Sequence, residues 1–149
     1  MSNYLREDFS KPKIVYGQFR RGSFAYDDKN HFLSSNEYLI ISRTIELKFL
    51  LAVLNSKIYY YFSCLSMNNL GGATTIAQKD IFTTFPLITN IPKLLQDELV
   101  ILATQIMTSN IGSTAVFEDK ADLLVMRLYQ ISDEEQTIIL KKTQMLFHN

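Results

Sequence analysis

Two short stretches of this chain carry side chains suited to binding phosphate or reading a polar molecular edge. Arg20-Arg21-Gly22-Ser23 is a basic turn, with Lys11 and Lys13 ahead of it and Lys29 behind it. Arginine presents a planar fork of donors that can form two parallel hydrogen bonds, whereas lysine supplies a point charge. Tyr16, Phe19, Phe24 and Tyr26 are interleaved with these cations. The second stretch runs from Asn68 to Lys79. Asn68, Asn69, Thr74, Thr75 and Gln78 offer amides and hydroxyls, and Lys79 offers a cation. Gly71 and Gly72 lack a Cβ, so backbone amides there can come close to an anion. A solvated basic turn beside core aromatics accounts equally well for the first stretch, and an ordinary polar surface loop for the second.

Other chemistry is missing from the sequence. His31 and His148 are far apart, and no HExxH, CxxC or carboxylate cluster at metal-ligand spacing is present. There is no GxSxG and no P-loop. Cys64 is the only cysteine, so no internal disulfide can form, which fits a reducing, cytoplasmic setting. On a helix it reads as a small core residue rather than a nucleophile. Asp27-Asp28 falls in a turn, where aspartates are ordinary. Nothing here supports an independent enzyme, and neither a metal ion nor a cofactor is expected in this chain.

The elements that must position these residues follow from composition and period. With 149 residues, 47% of them hydrophobic, the chain is long enough for one domain with a sizeable core. Its 5 glycines and 3 prolines, with 20% charged residues, argue against wholesale disorder. The net charge of zero by itself argues against a nucleic-acid partner. The distribution is less even. Residues 1–80 hold ten Lys/Arg and seven Asp/Glu, a balance of +3, and residues 81–149 hold five and eight, a balance of −3. Such asymmetry can mark a basic binding end and an acidic solvated end, and differences this small also arise by chance. Residues 1–10 are polar, carry no signal-peptide core, and read as a linker or the edge of a cut fragment. Leu47 to Leu65 is long enough to span a bilayer, but Lys48, Asn55, Ser56 and Lys57 interrupt it. It reads as a buried helix, and no membrane association is expected.

Lys13 to Phe19 reads as a strand, Phe24 to Tyr26 as a second and Glu37 to Ile41 as a third. From Glu46 the period changes, and Leu47, Leu50, Leu51, Leu54, Ile58 and Phe62 fall on one helical stripe that ends before Asn68. Asn55 and Ser56 lie within that helix, where Asn is disfavoured, and are expected to cap or hydrogen-bond an adjacent loop. A short helix or turn covers Gln78 to Thr84. Pro92 suits a first helical position, ahead of a stripe of Leu95, Leu99, Leu102 and Ile106. Asn110 to Ser113 breaks the chain, and Ala121, Leu124, Val125, Leu128 and Tyr129 form the next stripe. Ser132-Asp133-Glu134-Glu135 has the form of a capping box opening a last helix to about Leu146. Strands come first and helices follow, so the fold class is α+β rather than alternating βαβ units.

Taken in order, several segments resemble the TaqI-like C-terminal specificity domain of adenine-specific DNA methyltransferases. Lys11-Pro12-Lys13-Ile14-Val15-Tyr16 looks like its opening, Phe24-Ala25-Tyr26-Asp27 its next segment, and Glu37 to Ile41 the following strand. Phe49 to Phe62, with Leu54-Asn55-Ser56 inside, is similar to its hallmark helix, and Thr74 to Pro86 to the segment before its proline turn. Asp122 to Glu135 resembles the ending of type IIG restriction-modification enzymes. No one segment is specific; their order and spacing from Lys11 to Ile139 carry the likeness. It implies curled short strands with a long buried helix, followed by a C-terminal helical hairpin or bundle. It further implies a target-recognition domain at residues 11–149, with residues 11–88 reading double-stranded DNA and residues 91–149 supporting them. The partners implied are that DNA and the methyltransferase catalytic domain of a type II restriction-modification enzyme, which binds S-adenosylmethionine and methylates adenine N6. The Asn-Pro-Pro-Tyr type motif and glycine-rich cofactor loop of that catalytic domain are absent here, so catalysis does not carry over.

On this reading the DNA-binding candidates are Lys11, Lys13, Arg20, Arg21, Ser23 and Lys29 in the front portion. Asn68, Asn69, Gly71, Gly72, Thr74, Thr75, Gln78 and Lys79 make up the second element. Arg20 and Arg21 suit guanine O6 and N7, whereas Asn and Gln suit the adenine edge. The acidic rear helices, with Glu118, Asp119, Asp122 and Asp133 to Glu135, would be repelled by phosphate. They read as a support, as the surface meeting the catalytic part, or as a solvated outer face. A different class of function fits the apolar helices and zero net charge: a helical protein-interaction or assembly module without DNA contact.

Overall fold

A computed structural model of the chain describes residues 9–17, 24–29, 31, 33, 35–68, 78–110 and 112–147. Three strands come first: β1 (Lys13–Gly17), β2 (Phe24–Asp27) and β3 (Glu37–Ile40). They form an antiparallel sheet in the order β2-β1-β3, with Ile14 opposite both Tyr26 and Ile40, and Tyr16 opposite both Phe24 and Tyr38. Side chains alternate across a strand, so Ile14, Tyr16, Phe24, Tyr26, Tyr38 and Ile40 share one face and pack into the core. Val15, Ala25 and Leu39 lie on the other face, together with Lys13 and Asp27.

Six helices follow among the described residues: α1 (Leu47–Leu54), α2 (Lys57–Asn68), α3 (Gln78–Thr84), α4 (Lys93–Thr108), α5 (Ala115–Leu128) and α6 (Asp133–Phe147). The fold is therefore α+β, with the strands in the N-terminal half. Helix α1 is buried on all sides from Phe49 to Leu54. It packs on β1 and β2 through one flank and on α4 and α5 through another. That placement explains why its sequence from Phe49 to Leu54 is apolar without interruption rather than striped. Burying Phe49, Val53 and Leu54 stabilises the fold by roughly 1.5–3 kcal/mol each. Glu46 starts the helix by accepting a hydrogen bond from the Phe49 amide at 2.7 Å.

The long helix expected from Leu47 to Phe62 is two helices. The chain breaks at Asn55-Ser56, and the Asn55 amide turns back to the carbonyls of Leu51 and Val53. The cause is local competition for hydrogen bonds. Ser56 Oγ donates to the Val53 carbonyl and accepts from the Tyr59 amide, and Asn55 points at another element. Asp122 on α5 completes the new helix start by accepting the Lys57 amide at 2.8 Å. Cys64 is buried on α2. Pro92 flanks α4 as its N-cap rather than its first helical residue.

An aromatic row joins the sheet to the rear helices. Tyr16 contacts Phe24, Phe24 meets Tyr59 edge-on at 5.3 Å, Tyr59 meets Phe85 at 5.0 Å, and Phe85 contacts both Phe62 and Tyr129. The Tyr129 hydroxyl is buried without a full hydrogen bond, with the Ile88 backbone as its polar neighbour, and burial pushes the phenol up to about 12. After α5, Gln130 takes a left-handed backbone (φ 53°) that turns the chain into α6. The capping box there forms as expected: Glu135 accepts the Ser132 amide at 2.8 Å, and Ser132 Oγ accepts the Glu135 amide at 3.3 Å. Among the described residues no helix is long and apolar enough to cross a membrane.

Candidate nucleic-acid interface

Of the residues proposed to touch DNA, Arg20, Arg21, Ser23, Asn69, Gly71, Gly72, Thr74 and Thr75 lie outside the described residues. For Asn68, Gln78 and Lys79 only the backbone is described: Asn68 closes α2, and Gln78 and Lys79 open α3. The anchors of the two candidate elements are nevertheless defined. Residues 18–23 connect Gly17 of β1 to Phe24 of β2, and residues 69–77 connect α2 to Gln78 of α3. Asp80, in the first turn of α3, is near enough to Tyr16 for its charge to add to the effects of burial and Tyr38 in pushing the Tyr16 phenol up.

Lys13 does not join the two candidate elements. Its side chain is 0% exposed, and its ammonium pairs with Asp27 at 2.8 Å and donates to the Phe9 carbonyl at 2.9 Å. Lys13 and Asp27 are cross-strand partners, so the sheet register itself brings the two charges together. Asp27 also accepts the Lys29 amide and meets the His31 ring. The Lys13 ammonium, the Lys29 amide and the His31 ring hold its carboxyl well below the usual carboxylate range, against the opposing effect of burial. Asp27 is therefore a buried counter-ion on the last residue of β2 rather than an ordinary turn aspartate. An ammonium already desolvated and paired is poorly placed to neutralise a phosphate.

Lys11 and Lys29 are exposed, and so is Arg43, which the sequence reading did not single out. All three cluster at one end of the sheet by register. Lys11 precedes β1, Lys29 follows β2, and Arg43 follows β3, and these strand ends lie side by side. Asp28 and Glu46 share this end, and both add to burial in pushing the Tyr26 phenol up. The opposite end of β1, Gly17, from which residues 18–23 continue in sequence, is about 16 Å away at the ordinary strand rise for five residues. Arg43 was missed because it belongs to no motif; only the pairing of β1 with β3 brings it beside Lys11.

Asn55 fulfils the expectation that it bonds another segment. Its Nδ2 donates to the Phe24 carbonyl at 2.9 Å, and its Oδ1 accepts the Phe24 amide at 3.2 Å. This two-point clamp fixes the first residue of β2, directly after the basic turn. Lys57 is likewise engaged within the protein, with Asp122 at 2.8 Å and Asp119 at 3.1 Å. Burial works against the charge on Lys57, but these two carboxylates outweigh it and raise the ammonium's pKa; burial raises that of Asp122. Two of the rear acids, Asp119 and Asp122, thus hold α5 to the start of α2. Among the described residues no group of three or more His, Cys, Asp and Glu could hold a metal ion.

No curated protein matches the chain. A family model, the TaqI-like C-terminal specificity domain, matches residues 2–87, which is 86 of the 149 residues. The match takes in all three strands and α1 to α3, begins ahead of Lys11, and stops before the segment from Asp122 to Glu135 that resembled the type IIG ending. Covering more than half of the sequence, and all of its sheet, it shows that the chain belongs to the TaqI-like C-terminal specificity domain family.

Proposed function

We propose that this chain recognises a short sequence of double-stranded DNA for an adenine-N6 methyltransferase of a type II restriction-modification system, whose catalytic domain lies outside this chain. The observation that carries the reading is the specificity-domain match over residues 2–87, the part that holds the sheet and both candidate elements. Three structural facts support it. Residues 18–23, which include Arg20 and Arg21, connect β1 to β2, and residues 69–77 connect α2 to α3, so both candidate elements hang from defined anchors within the matched region. Exposed Lys11, Lys29 and Arg43 lie at the other end of the sheet. The separation of the two ends, about 16 Å, is comparable to the roughly 12 Å width of the B-DNA major groove, which admits a two-stranded β-ribbon. Cations at both ends then suit phosphates on the two sides of one groove, and the arginines and amides read base edges. Lys13 is left out of the interface because of its burial.

The chain by itself is a recognition module rather than an enzyme. S-adenosylmethionine would be bound by the catalytic domain, and a cytoplasmic setting fits the lone, buried Cys64. The competing reading, a helical assembly module, draws on exposed apolar side chains of α4 to α6, which lie beyond the family match. The two readings thus concern different parts of the molecule.

The test uses the polypeptide of the complete reading frame that carries this chain. It should methylate adenine in one short duplex site, and Arg20→Ala/Arg21→Ala should relax or abolish that choice while S-adenosylmethionine binding persists. Methylation with unchanged site choice and rate in the double variant would rule out the proposed interface. Absence of any duplex-sequence preference in the complete protein would rule out the function.

A further inference from the structure

The helical rear of the molecule carries an apolar groove that the DNA-recognition reading does not use. It has a volume of about 380 Å³ and runs between α2 and α6, floored by Phe62, Phe85 and Tyr129, with Leu65 and Ile138 on its rim. Leu65 is 45% exposed and Ile138 is 51% exposed. Residues three and four apart share a helix face, so Glu134, Glu135, Ile138, Lys141 and Lys142 form one stripe along α6. All five are exposed, and no ion pair among the described residues engages Glu134, Lys141 or Lys142.

The charge order along this stripe is what identifies the occupant. Two acids lie three and four residues before Ile138, and two bases lie three and four residues after it. An antiparallel copy of the same helix, centred on Ile138, presents the opposite charge at every one of these positions. Glu134 then faces the partner's Lys142, Glu135 faces the partner's Lys141, and the reverse pairs repeat by symmetry. The two Ile138 side chains meet at the centre, beside the groove rim that Leu65 forms. A parallel copy would set acid against acid and base against base. We infer that α6 is a self-association surface, through which two copies of this chain pair antiparallel about a two-fold axis at Ile138. Such an isologous contact is the commonest way for a soluble protein to form a closed dimer. One helix of 15 residues is about 22 Å long. That places the contact at the small end of specific interfaces, so the dimer forms reversibly with concentration. The surface lies outside the family match and does not depend on DNA recognition.

The 149-residue chain is taken through sedimentation equilibrium across about 1 μM to 1 mM, the range in which a small interface titrates. A monomer–dimer equilibrium is expected. Glu134→Lys and Lys142→Glu should each weaken it about tenfold, because each substitution turns two attractive pairs into repulsive ones. The double variant Glu134→Lys/Lys142→Glu restores both pairs with reversed sign and should regain the dimer. Ile138→Asp should remove it with an unchanged far-ultraviolet circular dichroism spectrum. Glu135 is left alone because it caps α6. The charge series decides the matter even where Ile138→Asp disturbs folding. A chain that stays monomeric throughout, or a double variant no better than the two single ones, overturns the inference.

Discussion

Replacing Lys13 with Met separates the structural and DNA-binding roles that its position leaves in competition. The substitution keeps most of the apolar stem and removes the ammonium that pairs with Asp27 and reaches the Phe9 carbonyl. Stripping one partner from a deeply buried ion pair costs about 3–5 kcal/mol. This pair lies on the outer face of a three-stranded sheet, away from the main core, and Asp27 keeps the amides of Lys29 and His31. The loss should therefore be smaller, about 2 kcal/mol, within the usual range for a buried polar group left short of a partner. In a domain of this size that lowers the melting temperature by roughly 4–8 °C. The loss should depend on pH. The folded Asp27 carboxyl titrates below its ordinary value of 3.8, so the pair contributes fully above about pH 4 and fades as pH falls below that value. Thermal melts of the two proteins should differ most near neutrality and converge toward pH 2. In DNA binding, the slope of log affinity against log salt scales as about 0.9 per phosphate neutralised by the protein. Lys13→Met should leave that slope unchanged, whereas Arg20→Ala/Arg21→Ala should lower it by roughly 1–2. A Lys13→Met protein that melts with the wild type while its salt slope falls by about 0.9 would refute this reasoning, because the ammonium would then be serving phosphate rather than Asp27.

Further outcomes follow from the same side chains. Asn55→Ala removes both hydrogen bonds to Phe24 and should destabilise the fold by about 1–3 kcal/mol in urea denaturation, with Asn55→Asp intermediate because it keeps the acceptor alone. Lys57→Met leaves Asp122 buried beside an exposed Asp119, and should lower stability by about 1–3 kcal/mol; adding Asp122→Asn should recover part of the loss in a double-mutant cycle. Ser132→Ala removes one half of the capping box and should cost about 1 kcal/mol in a thermal melt.

Patterns that depend on near neighbours were legible in the sequence. The run of Ile, Val and Tyr after Pro12 marks β1 as a strand, and the Ser132–Glu135 spacing fixes a cap closed within one turn. The break at Asn55-Ser56 was half legible. Asn inside an apolar stripe signals a hydrogen bond to something else, but not that the helix ends there. What ends it is contributed from far along the chain: Phe24, 31 residues away, takes the Asn55 side chain, and Asp122, 65 residues away from Lys57, caps the new helix. Lys13 and Asp27 were read singly, as a phosphate contact and a turn residue. Nothing local to either shows that the register sets them opposite each other. Arg43 is the converse case, an unremarkable cation until β3 pairs with β1.

These pairings change what the charge asymmetry of the chain means. The front portion holds ten cations, but Lys13 is buried against Asp27, Lys57 is held by two acids of α5, and Lys48 lies 5.7 Å from the centre of the Tyr26 ring. Three of the ten therefore serve cohesion, and two of the rear acids they might have opposed across the molecule are instead bound to one of them. Simple counting by halves overstates the charge presented to a partner and also overstates the acidity of the rear. On the proposed DNA-recognition reading, phosphate would be met locally, by exposed cations at one end of the sheet and by the segment carrying Arg20 and Arg21. On that reading the interface would grip through position rather than bulk charge. Lys29→Ala should therefore weaken binding by a similar factor at every duplex sequence and lower the slope of log affinity against log salt by about 0.9, leaving site choice unchanged; a variant that shifts the preferred site instead would place Lys29 on a base edge.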